Sequence, residues 1–177
     1  MDDADSSLSS VIESPTETEV AFVEKVVVVP DPVLKDPWVL KDGVYTLDFT
    51  EPPSFSSNWE IHKHKGGVFN YNPIDTTLFS LKDLGLKDGA TIEDCVKKLK
   101  RLKMDSMPAN TADFIFKVKP VLPTDFSGTY IYFLDTIFKG SSLLVRFMYY
   151  NDHKNEWVIK HDPIKKELGQ FSRIACY

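Results

Sequence analysis

The sequence predicts an all-β sandwich or barrel, and three observations predict it. Residues 112–150 hold three β-type runs separated by two breaks. Further short alternating runs lie on both sides of that block, with turn residues between them. Only one segment, 91–103, has a convincing helical period. Short strands with closely spaced turns argue against a parallel α/β sheet.

The central runs set the pattern. In the first, Phe114, Phe116 and Val118 alternate with Ile115, Lys117 and Lys119. In the second, Thr129, Ile131 and Phe133 alternate with Tyr130, Tyr132 and Leu134. In the third, Leu143, Val145, Phe147 and Tyr149 alternate with Leu144, Arg146, Met148 and Tyr150. Period two in aromatic and β-branched residues marks strands with a face in a core. Pro123, Asp125 and Gly128 mark the first break, and Gly140-Ser141-Ser142 the second.

Before this block, Val44–Phe49 alternates and stops at Pro52-Pro53. Trp59–Asn72 predicts a hairpin turning at Gly66-Gly67 and ending at Pro73. Thr91–Lys103 predicts a helix with Ile92, Cys95, Val96, Leu99 and Leu102 on one stripe. Thr91 is its expected N-cap, with Asp94 closing a capping box. Glu93 and Asp94 suit the positive end of the helix dipole, the following cations suit the negative end, and Pro108 stops it. After the block come Glu156–His161 and Phe171–Tyr177, for about eight strands, one helix and no repeats.

With 177 residues, one domain is expected, with a core that needs no disulfide staples. Residues 44–177 would form it. Residues 1–43 would be an extended arm and connector, with three prolines and an exposed Trp38 between 30 and 43. The first 24 residues carry seven acids and no Lys or Arg, a charge of −7 against −5 for the whole chain, so the remainder carries +2. An acidic arm repels phosphate and is not a nucleic-acid arm. Val26–Val29 is strand-length, suited to adding an edge to a neighbour's sheet. No apolar run reaches membrane-span length, so no membrane partner is expected, and the polar start matches neither a signal nor a transit peptide. Two cysteines, Cys95 and Cys176, are expected as free thiols in a reducing, intracellular setting.

Candidate chemistry is sparse. His62 and His64 have the spacing of an H-x-H metal pair, but no carboxylate follows and Lys63 and Lys65 flank them. No nucleophile elbow, phosphate loop or calcium loop occurs, so no catalytic residue, cofactor, metal or small-molecule substrate is assigned. Two surface sets remain. Lys97, Lys98, Lys100, Arg101 and Lys103 form a basic run, read either as an RNA contact or as the solvated face of the helix. Trp38, Tyr130, Tyr132 and Tyr150 are candidates for a subunit interface, because the aromatics of the central runs fall on both faces of their strands; the alternative is that helices or loops of the same chain cover the second face.

Two segments resemble the coat proteins of picorna-like viruses. One is Trp59, Gly66-Gly67, Val68, Phe69 and Pro73. The other is DFIFKVKPVLPTDFSGTYIYFLD, residues 113–135, which follows the helix and places Gly128 at the start of a strand. NDHKNEW, after the third run, is similar to small coat proteins of cheravirus-like secovirids. The resemblance implies an antiparallel eight-stranded jelly-roll sandwich, in which one subunit assembles with other coat subunits in an icosahedral virion that encloses genomic RNA. It also implies a place in the host cytoplasm during assembly. The stretch after Asp135 is short for a full jelly roll, and the basic RNA-binding arm of many icosahedral plant viruses is missing. The alternatives are a viral movement protein or RNA-silencing suppressor with a related β-core, to which Asp135 after an apolar run is similar, and a cupin-like metal-dependent enzyme.

Overall fold

A computed structural model describes residues 36–54, 59–71, 77–118 and 128–177, all within one unit, Lys35–Tyr177. The acidic arm, Val26–Val29, Pro30, Pro32, Pro73, Pro123 and Asp125 lie outside the described residues.

The alternating runs become strands. These are β1 (Trp38–Lys41), β2 (Val44–Asp48), β3 (Glu60–Lys63), β4 (Val68–Tyr71), β5 (Thr77–Ser80), β6 (Tyr130–Lys139), β7 (Leu143–Asn151), β8 (Glu156–Pro163) and β9 (Ser172–Cys176). The helices are α1 (Ile92–Leu102) and α2 (Asn110–Val118). The chain is mostly β, in two sheets. A three-stranded sheet has the order β1-β2-β4. A six-stranded sheet has the order β5-β9-β6-β7-β8, with β3 also on β6. The described residues thus hold nine strands where about eight were expected. The sheet is mixed, because β9 runs parallel to β6 while the other pairs are antiparallel.

β6 is the axis of the molecule. Its residues from Ile131 to Phe138 are all buried. A strand buried on both faces reads as a near-continuous apolar run, and YIYFLDTIF is one apart from Asp135 and Thr136. Alternation sends Tyr132 and Leu134 to one side and Ile131 and Phe133 to the other. On the first side they meet Ile92, Cys95 and Leu99 of α1, with Val145, Phe147 and Ile174. On the second they meet Leu47, Phe49, Phe69 and Tyr71 of the small sheet and Ala112, Phe114 and Ile115 around α2. The layers are therefore α1, the large sheet, then α2 with the small sheet. This chain itself covers Tyr132 and Phe147 under α1 and Phe133 beneath the small sheet, while Tyr130 stays 41% exposed.

Three further expectations change. The Phe114–Lys119 run is not a strand: residues 114–118 belong to α2. Thr111, Phe114, Ile115 and Val118 also fit a helical period, and a run this short satisfies both periods. Pro108 before the helix and Asp113 in its first turn decide for the helix, leaving Phe116 exposed. Trp59–Asn72 is not a hairpin either. β3 pairs with β6 and β4 with β2, so Gly66-Gly67 is a corner between the two sheets. Finally, part of the expected connector is structure: β1 pairs with β2 through a turn at Asp42-Gly43, both at positive φ. Trp38 there is half-buried, edge-on to Phe114 at 5.4 Å.

α1 matches its expectation closely. The Thr91 side chain accepts from the Asp94 N–H, and the Asp94 carboxylate accepts from the Thr91 N–H at 3.0 Å. Lys103 ends the helix in the left-handed conformation. The β6–β7 turn falls at Gly140–Ser142, as read from the sequence.

Candidate functional site

The most concentrated polar chemistry lies inside the large sheet, at a bulge in β6. Phe133 pairs with Arg146 and Ile137 with Val145, so Leu134, Asp135 and Thr136 have no partner on β7. Each finds partners elsewhere, as buried polar groups must. The Leu134 N–H donates to Ser106 Oγ at 2.9 Å, and that hydroxyl donates to the Ala175 carbonyl at 2.9 Å. Asp135 Oδ2 accepts the Lys65 and Gly66 N–H groups at 3.1 and 3.0 Å. Thr136 Oγ1 accepts from the Ala109 N–H at 3.1 Å and meets His64 Nδ1 at 2.9 Å.

His64 closes the cluster. Its Nε2 lies 2.9 Å from the Phe49 carbonyl, which can only accept, so Nε2 carries the proton. In the neutral ring Nδ1 then accepts from Thr136 Oγ1. Asp135 Oδ2 stands 3.8 Å from Nδ1. A histidine, a carboxylate and a hydroxyl thus sit together as in a catalytic triad, but every one is engaged by backbone or by another member and all are buried. The arrangement ties the Gly66-Gly67 corner to the bulge. The Thr136 hydroxyl is shut away from solvent, at 0% exposure of its residue. His62, by contrast, is exposed. The H-x-H pair therefore does not converge, and among the described residues no group of three His, Cys, Asp or Glu side chains could hold a metal ion.

A second buried cluster flanks the bulge. The Arg146 guanidinium donates to Asp113 of α2 and to the Ala109 carbonyl at 3.3 Å, and its Nε donates to His161 Nε2 at 3.3 Å. It lies 5.8 Å from the Phe138 ring. Arg146 thereby fixes α2 to the sheet. On the α1 side, Tyr132 donates its hydroxyl to Asp162 at 2.9 Å, and Lys166 donates to the same oxygen at 2.8 Å. Burial, with the Asp162 charge second, pushes the Tyr132 phenol well above its usual range.

The surface sets separate. Tyr132 is a core residue and leaves the candidate interface. Trp38 packs on Phe114 beneath Lys117, and Tyr150 packs edge-on to Trp157 at 5.3 Å. Of the four, Tyr130 alone is classed as exposed, at 41%. On α1, Lys97 pairs with Glu93 at 2.9 Å, and Lys165 also reaches Glu93. Lys100, Arg101 and Lys103 are exposed, and Lys98 is half-buried with its side chain running beside Gly85.

The bulge cluster was not anticipated from the sequence. Its signal is the pair Asp135-Thr136 inside an otherwise apolar strand, with Arg146 inside LLVRFMYY. A charge there has to be paired, which points to a buried network. A further surface feature is the outer face of the small sheet. Val39, Val44 and Val68 point away from the core at 61%, 38% and 59% exposure, and Leu40 at the edge is also exposed. No family model, curated protein or solved structure matches this chain.

Proposed function

We propose that this protein is a structural subunit that works through protein–protein contacts. The carrying observation is the outer face of the β1-β2-β4 sheet. Val39, Val44 and Val68 are exposed on three adjacent strands, set among Lys41, Thr46, Asp48 and Asn70 of the same face, a mixed apolar and polar surface of the kind that protein contacts use. The buried polar groups support the same reading, because the His64, Asp135 and Thr136 contacts serve sheet-corner geometry.

The specific form we propose is a coat subunit of a picorna-like capsid, built on a jelly-roll-like sandwich. It rests on the resemblance of residues 59–73 and 113–135 to that family. Two features depart from the family pattern: α2 occupies residues read there as a strand, and β9 is parallel to β6. The test is sedimentation of the purified full chain, together with electron microscopy of its native source. The reading expects concentration-dependent assembly and isometric particles containing the chain. A strictly monomeric chain at high concentration, with no particles, overturns it.

A further inference from the structure

The sequence places no aromatic residue within the basic run of α1. The fold places aromatics on the same side of the sheet. Strand register puts Tyr130 opposite Tyr149, Tyr132 opposite Phe147, and Phe147 opposite Lys160, all on the face that α1 covers. α1 shields Tyr132 and Phe147, whereas the rung beyond them is partly open, with Tyr130 at 41% exposure and Tyr149 half-buried. There the Tyr130 and Tyr149 rings lie 5.4 Å apart, and Phe147 stacks behind Tyr149 at 6.2 Å and 20°. The Lys160 ammonium sits 5.5 Å over the Tyr149 ring and, among the described residues, has no carboxylate partner. Phe171, more than half exposed, adjoins this rung through the Tyr130 N–H bond to its carbonyl at 3.1 Å.

We propose that Tyr130, Tyr149 and Lys160 form a stacking platform for a single-stranded nucleic acid. Such a ligand alternates flat π-faces with negative charges, and the platform sets the exposed Tyr130 ring and the half-buried Tyr149 ring beside an unneutralised cation. A base on the Tyr130–Tyr149 rung places its phosphate toward Lys160, and the exposed cations of α1 lie on the same side of the sheet to take the neighbouring phosphates. An apolar protein surface fits less well, because it would bury Lys160 without a counter-charge. Glu156, on the same face of β8, faces Asn151 at the far end of the strand and sits by Lys154 at 4.0 Å. Once the acidic first 24 residues are set apart, the chain carries +2, which permits phosphate to approach.

The test uses the full chain and a fluorescent oligouridylate, with anisotropy read over a salt series. Saturable binding at low salt is expected, with affinity falling as salt rises. Tyr130→Ala should weaken binding roughly five- to a hundredfold, and Tyr130→Phe should retain it. Lys160→Gln should reduce the salt slope by about 0.7. Both positions are exposed, and a thermal melt checks that each variant folds. No saturable binding by the wild-type chain overturns the platform, as does binding indifferent to both Tyr130→Ala and Lys160→Gln. Equal affinity for a duplex of the same sequence length overturns it too. If Tyr130→Ala abolishes self-association while no oligonucleotide binds, the patch is a protein contact and the proposal fails.

Discussion

The Nε–H of Arg146 donates to Nε2 of His161 across 3.3 Å, so the imidazole of this pair is an acceptor and has to be neutral. Trp59 and Phe138 close around it edge-on at 4.8 and 5.3 Å. Burial, with the guanidinium second, pulls the His161 pKa from 6.5 down to about 4, and Asp162 opposes this. In the unfolded chain the group regains its ordinary value. Between those two values the unfolded state binds more protons, so stability rises with pH. The contribution is complete above the unfolded value and is lost as pH falls through the folded one. Its size is about 2–3 kcal/mol, nearer the lower figure because the ring is partly exposed. Urea unfolding from neutral pH to about pH 4.5 should show the loss, and His161→Gln should flatten it. An unchanged slope in that variant removes His161 as the cause. The acids whose pKa values are lowered, Asp48, Asp83, Glu93 and Asp94, act only at more acid pH.

Gly66 should be the least replaceable residue of the corner. Its φ is +58°, and a Cβ there would collide with the Phe49 carbonyl oxygen and the His64 ring, both fixed by the bulge cluster. Gly66→Ala combines backbone strain with loss of that packing and should cost about 3 kcal/mol or more. Thr136→Val, nearly isosteric, orphans the Ala109 N–H and removes the partner of His64 Nδ1, and should cost about 1–3 kcal/mol. Denaturant melts measure both, and a Gly66→Ala cost below that of Thr136→Val would contradict the close-approach argument.

The two thiols should be silent in the native protein. Cys95 and Cys176 are free and buried in one core cluster, and burial pushes them up to about 11 and about 12. The thiolate is the reactive form, so a disulfide reagent at neutral pH should label neither until the protein unfolds. Labelling should follow the unfolding curve, with both sites appearing together. Fast native labelling of either one would show that its cluster opens locally.

What could be read in advance follows from how local the deciding physics is. α1 was legible to its caps because Thr91, Asp94 and the apolar stripe act within a few residues of each other. β2, β7 and β8 were legible from alternation. α2 was not, since Phe114 and Val118 satisfy two periods at once and the choice falls to Pro108 and Asp113. The Gly66-Gly67 corner was misread because a turn signal does not say which strands pair, and here Asp135, some 70 residues away, holds the loop. The bulge cluster was invisible for the same reason: His64, Ser106, Thr136 and Arg146 are brought together only by the completed sheet.

The small sheet offers the sharpest test of a role in assembly. Val39, Val44 and Val68 sit on its outer face, opposite the side on which Leu47, Phe69 and Tyr71 fill the core. A charged side chain there meets water and not the core, so Val68→Glu should change stability by no more than about 0.5–1 kcal/mol. The same change inside a contact would bury an unpaired carboxylate and disfavour association strongly. Val39→Glu together with Val68→Glu should therefore leave the thermal melt nearly unchanged while shifting sedimentation toward monomer. A pair of variants that fold and still assemble like the wild type would place the contact elsewhere, and the open rung at Tyr130 and Phe171 would be the next surface to change.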